Sequence, residues 1–200
     1  MNLTNYYWYF QSAIPSRICD DIVKYGKSIQ DQMAITGGYE KDKKLNQKQL
    51  KNLKQKRDSN IVWMNDRWIY KEIQPYVHQA NANAGWNFQW DFSESCQFTK
   101  YEKGQFYDWH CDGWDQPYQR QQGDPSHGKI RKLSVTVTLS DPKDYKGGEL
   151  EFDFRNLDPD KKPNIKKCTE ILPKGSLVVF PGFVWHRVCP VKKGTRHSLV

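Results

Sequence analysis

The chain changes its hydrophobic period partway along. In "PSRICDDIVKYGKSI" the apolar residues Ile18, Ile22, Val23 and Ile29 fall near helical spacing, with Ser16 placed to cap the helix. "DRWIYKEIQPYVHQANANAG" carries Trp68, Ile69, Ile73, Tyr76, Val77 and Ala80 at the same spacing. Pro75 should kink that helix or open a second segment. "NIVWM", between the two, reads as a strand. From residue 86 the period becomes two. "WNFQWDF" alternates Trp86, Phe88 and Trp90 with polar residues, and "SCQFTKY" puts Gln97, Thr99 and Tyr101 on one face. "RKLSVTVTLS" alternates Leu133, Val135, Val137 and Leu139 with Ser134, Thr136 and Thr138; "GGELEFDF" does the same with Leu150, Phe152 and Phe154. "GSLVVFP", "FVWHRVCPV" and "TRHSLV" follow, punctuated by glycine and proline. The pattern predicts one mainly-β domain over residues 1–200, with a helical part over about 12–85 and a strand-rich core over about 86–200. About eight short strands after a helical third suggest an antiparallel sandwich or barrel braced by helices.

Residues 36–57 interrupt the helical part. They are strongly basic, nearly free of large apolar groups, and read as a mobile loop or frayed helix. Such a segment is either a plain solvated insertion or a lid over a site.

Composition narrows the picture. Hydrophobic residues make up 37% and aromatic ones 14%, so Trp, Tyr and Phe must supply much of the core. The net charge of +8 permits an anionic partner, but a lysine-rich soluble surface is the plainer account of it. No apolar run reaches the roughly 20 residues of a membrane span, and the N-terminus lacks the pattern of a signal peptide. Five cysteines with no CxxC pair fit reduced thiols in a cytoplasmic protein.

The chemistry concentrates in "FYDWHCDGWD". On a strand, His110 and Asp112 project to one face and Cys111 to the other. One imidazole and one carboxylate at this spacing can bind a divalent metal, given a third ligand from another strand. His186, in "FPGFVWHRVCPV", is the best candidate. Two histidines and one carboxylate leave coordination positions open, which is what non-haem Fe(II) oxygenases require. Ten positions after His186, Arg196 shares a strand face with Ser198 and can grip a carboxylate.

The ordered set "YEKGQFYDWHCD…LSVTVTLSD…YKGGELEF…LPKGSLVVFPGFVWHRVCPVKKGTRHSLV" resembles the Fe(II)/2-oxoglutarate-dependent dioxygenases, most closely their prolyl 4-hydroxylase-like branch, which has bacterial and phage members. The likeness covers about residues 55–200. It implies a double-stranded β-helix, or jelly roll, braced by helices. It implies Fe(II) held by His110, Asp112 and His186. It also implies 2-oxoglutarate as co-substrate, its far carboxylate on Arg196 with Ser198 assisting, Tyr101 reaching into the co-substrate site and Thr138 as another contact. Ascorbate as reductant belongs to the same inference. The family reaction splits 2-oxoglutarate to succinate and carbon dioxide and hydroxylates a C–H bond, here of a prolyl residue in a peptide or protein. Many prolyl 4-hydroxylases carry lysine at the position of Arg196. Members also usually continue the last strand beyond the four residues that follow Arg196 here; either the chain is cut or the terminal strand is short.

Other conspicuous residues read as structural. Cys111 and Cys189 are buried fillers, and Trp109 and Trp185 pack outward from the ligand strands, whereas Trp114 shares parity with His110 and Asp112 and is a substrate-contact candidate. His78 belongs to a helical stripe, His127 to an exposed loop and Arg187 to a salt bridge. Gly123 to Lys129 matches GxxxxGK, but Ile130 stands where a phosphate loop needs Ser or Thr, which excludes nucleotide binding. The competing functions are hydroxylation of a free amino acid or other small molecule, oxidation of nucleic acid, and a non-enzymatic jelly-roll metal module.

Overall fold

The computed structural model describes residues 4–35, 45–113, 115–155, 158 and 160–200. The chain runs through β1 (Trp8–Phe10), α1 (Ser16–Ser28), β2 (Gln32–Met33), α2 (Gln47–Lys56), β3 (Arg57–Asp58), β4 (Asn60–Met64) and α3 (Arg67–Asn83). The strands β5 (Cys96–Tyr101), β6 (Phe106–His110), β7 (Leu133–Thr138), β8 (Tyr145–Gly147) and β9 (Leu150–Asp153) follow. β10 (Ile165–Lys167), β11 (Leu177–Pro181), β12 (Trp185–Val188), β13 (Val191–Gly194) and β14 (Arg196–Leu199) complete the described elements.

The larger sheet has the order β1-β11-β7-β14-β5-β4-β2 and the smaller β10-β9-β12-β6-β3; β13 and β8 form a separate ribbon. All pairings among the described residues are antiparallel. Neither sheet closes on itself, so the jelly roll is an open one.

The larger sheet separates two cores, and β11 shows how. Leu177 and Val179 join the helical side, with Ile22 of α1 and Ile69 and Ile73 of α3. Val178 and Phe180 join the other side, with Phe152 and Val188 of the smaller sheet. A strand buried on both faces reads as a continuous apolar run, which is the composition of "LVVF". α1 approaches the sheet closely at Gly26, where an added Cβ would stand 2.6 Å from the Phe98 ring.

Four local expectations change. Pro15, not Ser16, occupies the N-cap position of α1, and no side chain caps that end. Pro75 neither breaks α3 nor starts a new helix, because Ile69, Ile73 and Ala80 bury one face along its whole length. "WNFQWDF" forms no strand. The Asn81 side chain takes both backbone polar groups of Phe88, and Trp86 donates its Nε1–H to the Asn5 carbonyl, so the segment lies on the core without a ladder. In the basic segment, residues 36–44 lie outside the described residues, but 47–56 form α2. Asn46 and Gln49 cap it reciprocally, and Leu53 buries its side chain.

Candidate metal centre and co-substrate cavity

β12 lies between β9 and β6, and its register sets His186 directly opposite His110. Asp112 lies two residues beyond His110, just past the end of β6. Its backbone N–H and that of Gly113 both donate to the Gly182 carbonyl at 2.8 Å, in the turn that leads into β12. Gly182 in turn donates to the carbonyl of Lys132, just before β7. Three chain segments thus meet on backbone contacts, which side chains would obstruct. An added Cβ at Gly113 would stand 2.5 Å from the Arg131 carbonyl oxygen.

The tautomers follow from the partners. His110 Nδ1 lies 2.7 Å from the Asp108 carbonyl and His186 Nδ1 lies 2.9 Å from the Val184 carbonyl. A carbonyl can only accept, so both Nδ1 atoms carry a proton, and in the neutral ring each Nε2 then presents its lone pair. His110 Nε2 lies 3.7 Å from Asp112 Oδ1, and His186 Nε2 lies 3.6 Å from Oδ2. One ligand atom from each of the three residues falls within 4.8 Å of the others. Burial, reinforced by the nearby His186, pushes the His110 imidazolium down to about 3. Burial opposes ionisation of Asp112, but His186, His110, Arg131 and Ser134 outweigh it and hold the carboxyl below its usual value. Two neutral imidazoles and one carboxylate are the protonation states a divalent cation needs. The donor set therefore fits Fe(II).

Arg196 and Ser198 share a face of β14, as expected, and Arg196 donates to the Ser198 hydroxyl at 3.2 Å. Arg196 is only 2% exposed, and no carboxylate among the described residues pairs with it. A buried guanidinium without a counter-ion is costly, so the site calls for an anionic ligand. Tyr101, opposite Arg196 on β5, lines the same cavity, which has a volume of about 570 Å³ and reaches His110, Asp112 and His186. A dicarboxylate such as 2-oxoglutarate matches these partners. Thr138 pairs with Ser198 in register but is not in the cavity wall; Thr136, one step earlier on the same face, is.

Of the remaining residues, Cys111 is buried, and burial raises its thiol pKa, the reverse of a ligating thiol. Trp109 stacks against Arg187, which pairs with Glu151. His78 stacks on Trp90. Trp114 lies outside the described residues. Sequence reasoning missed Tyr107, Arg57, Arg131 and Ser134. Tyr107 stacks on His110 with ring centroids 3.5 Å apart, although strict alternation would turn it away. A register shift between β6 and β12 resets the alternation there. Arg57 sits over the Tyr107 ring and donates to Ser59 and Gln97. The "YxxGxxYxxHxD" spacing contained Tyr107 all along; the other three had no local signal.

Comparison with known proteins agrees with this geometry. The family model for the 2OG-Fe(II) oxygenase superfamily matches residues 96–200. A PKHD-type hydroxylase of Xanthomonas campestris pv. campestris is 38% identical over 101 residues, which is 50% of this chain and 39% of that protein. The PKHD-type hydroxylase YbiX of Escherichia coli is 35% identical over 100 residues, 50% of this chain and 38% of that protein. The match thus spans well under half the length of these relatives. Among solved structures, a viral collagen prolyl hydroxylase from Paramecium Bursaria Chlorella virus-1 superposes with a TM-score of 0.64 at 21% identity, covering 98% of this chain and 94% of that one. A Pseudomonas putida prolyl-4-hydroxylase gives 0.63 at 19%, covering 98% and 90%. The structures share the fold, and the family match runs over the very strands that bring His110, Asp112, His186 and Arg196 together: this chain belongs to the 2OG-Fe(II) oxygenase superfamily.

Proposed function

We propose that the protein is an Fe(II)- and 2-oxoglutarate-dependent dioxygenase that hydroxylates a prolyl residue in a peptide or protein. The convergence of two Nε2 lone pairs and the Asp112 carboxylate on a cavity that also holds the unpaired Arg196 carries this reading. One oxygen atom of dioxygen enters the substrate C–H bond as a hydroxyl group. The other enters succinate as 2-oxoglutarate loses carbon dioxide.

Bound Fe(II) supplies open coordination positions and the capacity to reduce dioxygen. The chain supplies the rest. His110, Asp112 and His186 would hold the metal. Arg196 and Ser198 bind the far carboxylate of 2-oxoglutarate, with Tyr101 beside them; Thr138 braces Ser198 from the neighbouring strand. Tyr107 covers one face of His110 and keeps water from it. Trp63, Trp90, Phe92 and Tyr118 extend the cavity wall beyond the metal, and Trp63 and Phe92 are each more than a third exposed. A wall of partly exposed aromatic rings suits an extended proline-containing chain, which loses little conformational entropy on binding.

The test is incubation with Fe(II), 2-oxoglutarate and a panel of proline-containing peptides, followed by mass spectrometry for a gain of one oxygen atom. His110→Ala is the control. No succinate with any peptide, together with no absorption band on anaerobic mixing of Fe(II), 2-oxoglutarate and protein, overturns the proposal. Turnover of free proline but of no peptide would replace the peptidyl substrate by a small molecule.

A further inference from the structure

We propose that Ser134 is a positioning residue that fixes the orientation of the Asp112 carboxylate for metal binding. The inference rests on the metal site proposed above and adds a residue to it. Ser134 opens the polar face of β7, is 7% exposed, and donates its hydroxyl to Asp112 Oδ2 at 2.7 Å. That is the length of a strong bond from a hydroxyl to an ionised carboxylate. Oδ1 faces His110 Nε2 at 3.7 Å and Arg131 Nη1 at 3.8 Å, and Oδ2, besides accepting from Ser134, faces His186 Nε2 at 3.6 Å.

The support behind this bond is rigid. β7 is held by β11 in full register, with Ser134 opposite Phe180, so the hydroxyl cannot retreat. Arg131 donates to the Asp112 carbonyl at 2.9 Å and is itself anchored on Glu94 at 2.6 Å, which fixes the backbone from which the carboxylate projects. With the backbone fixed and Oδ2 engaged, the carboxylate is held in one orientation between the two imidazoles. A ligand already turned toward the site would bind a cation without first giving up side-chain freedom. Ser134 would thereby strengthen metal binding without touching the metal.

Ser134→Thr and Ser134→Val separate the hydroxyl from its volume, since both add the same bulk and only threonine keeps the donor. The measurement is anaerobic titration of the full chain with Co(II), read by its visible absorption, alongside thermal unfolding without metal. Ser134→Thr should bind with the affinity and band intensity of the unaltered protein. Ser134→Val should bind about 10- to 100-fold more weakly, the usual loss for a partner that orients a ligand. If valine destroys the fold, Ser134→Ala, which adds no bulk, reads the same affinity. Equal affinity in the threonine and valine variants overturns the role of Ser134 and leaves the metal site standing. Failure of the unaltered protein to bind Co(II) overturns both.

Discussion

Gly113→Ala tests the backbone junction that carries the metal centre. The new Cβ would stand 2.5 Å from the Arg131 carbonyl oxygen, with the Gly182 backbone 3.5 Å away. Ordinary contact needs roughly 1 Å more. The obstacle is backbone, so no side chain can swing aside. Gly113 does not have a positive φ, so the cost is steric and not conformational. Overpacking of this kind costs about 1–3 kcal/mol. For a domain of this size that lowers the melting temperature by about 2–12 °C, at about 2–4 °C per kcal/mol. The junction must yield by separating Asp112 and Gly113 from Gly182 or from Arg131, and each route displaces the Asp112 carboxylate. A displacement of about 1 Å at a reacting centre can cost about 100-fold in rate. The assays are thermal unfolding, Co(II) titration and turnover. Gly85→Ala is the comparison: Gly85 has φ +73° and open space around its Cα, so alanine there strains the backbone without touching the site. Both variants should melt earlier, but only Gly113→Ala should lose metal affinity. A Gly113→Ala protein that melts and binds Co(II) like the unaltered one would refute the reasoning.

Arg196→Gln removes the unpaired guanidinium and should weaken 2-oxoglutarate binding by about 30-fold or more, equivalent to about 2 kcal/mol, while Co(II) binding persists; equal loss of both would point to a general collapse of the cavity. Co(II) at about 100 times its dissociation constant should stabilise the protein by about 2.7 kcal/mol, a gain that a chelator reverses and that His186→Ala abolishes. Burial, with Lys27, Lys100 and Arg196 adding to it, pushes the His197 imidazolium down to about 4. The unfolded chain, titrating near 6.5, binds a proton that the folded one refuses, so this contribution to stability is complete above about pH 6.5 and is lost as pH falls toward 4. His197→Phe keeps the stack on Phe98 and should flatten the pH dependence of urea unfolding across that window; an unchanged slope counts against it.

The strands that carry chemistry were legible because they alternate. Tyr101 and Thr138 lie on strands whose polar and apolar positions take turns over four or more residues, and Arg196 and Ser198 fall two apart on β14, so the period of two alone assigns them one face. The segment 86–95 alternates as well, yet forms no strand. The Asn81 side chain takes the backbone polar groups of Phe88 and Trp86 reaches the Asn5 carbonyl, contacts that replace a ladder. α2 was legible only as a mobile loop or frayed helix, because Leu50 and Leu53 are its only apolar residues, too few to set a period, and Leu53 alone is buried. Tyr107 was missed because the register shift opposite β12 puts it on the face that alternation reserves for its neighbours.

By itself the sequence determined which residues could ligate a metal and bind a carboxylate, and that a sheet would present them. Residue type and period are local properties, and the pairs His110 with Asp112 and Arg196 with Ser198 each fall within one short stretch. Tertiary structure decided how the ligands are held. Asp112 is oriented by Ser134, Arg131 and Gly182, which lie 19 to 70 residues away in the chain, and their contacts depend on where β7 and the turn before β12 come to rest. A hydrogen bond between distant residues has no sequence period of its own, because it is formed by packing two sheets and not by the course of any one strand.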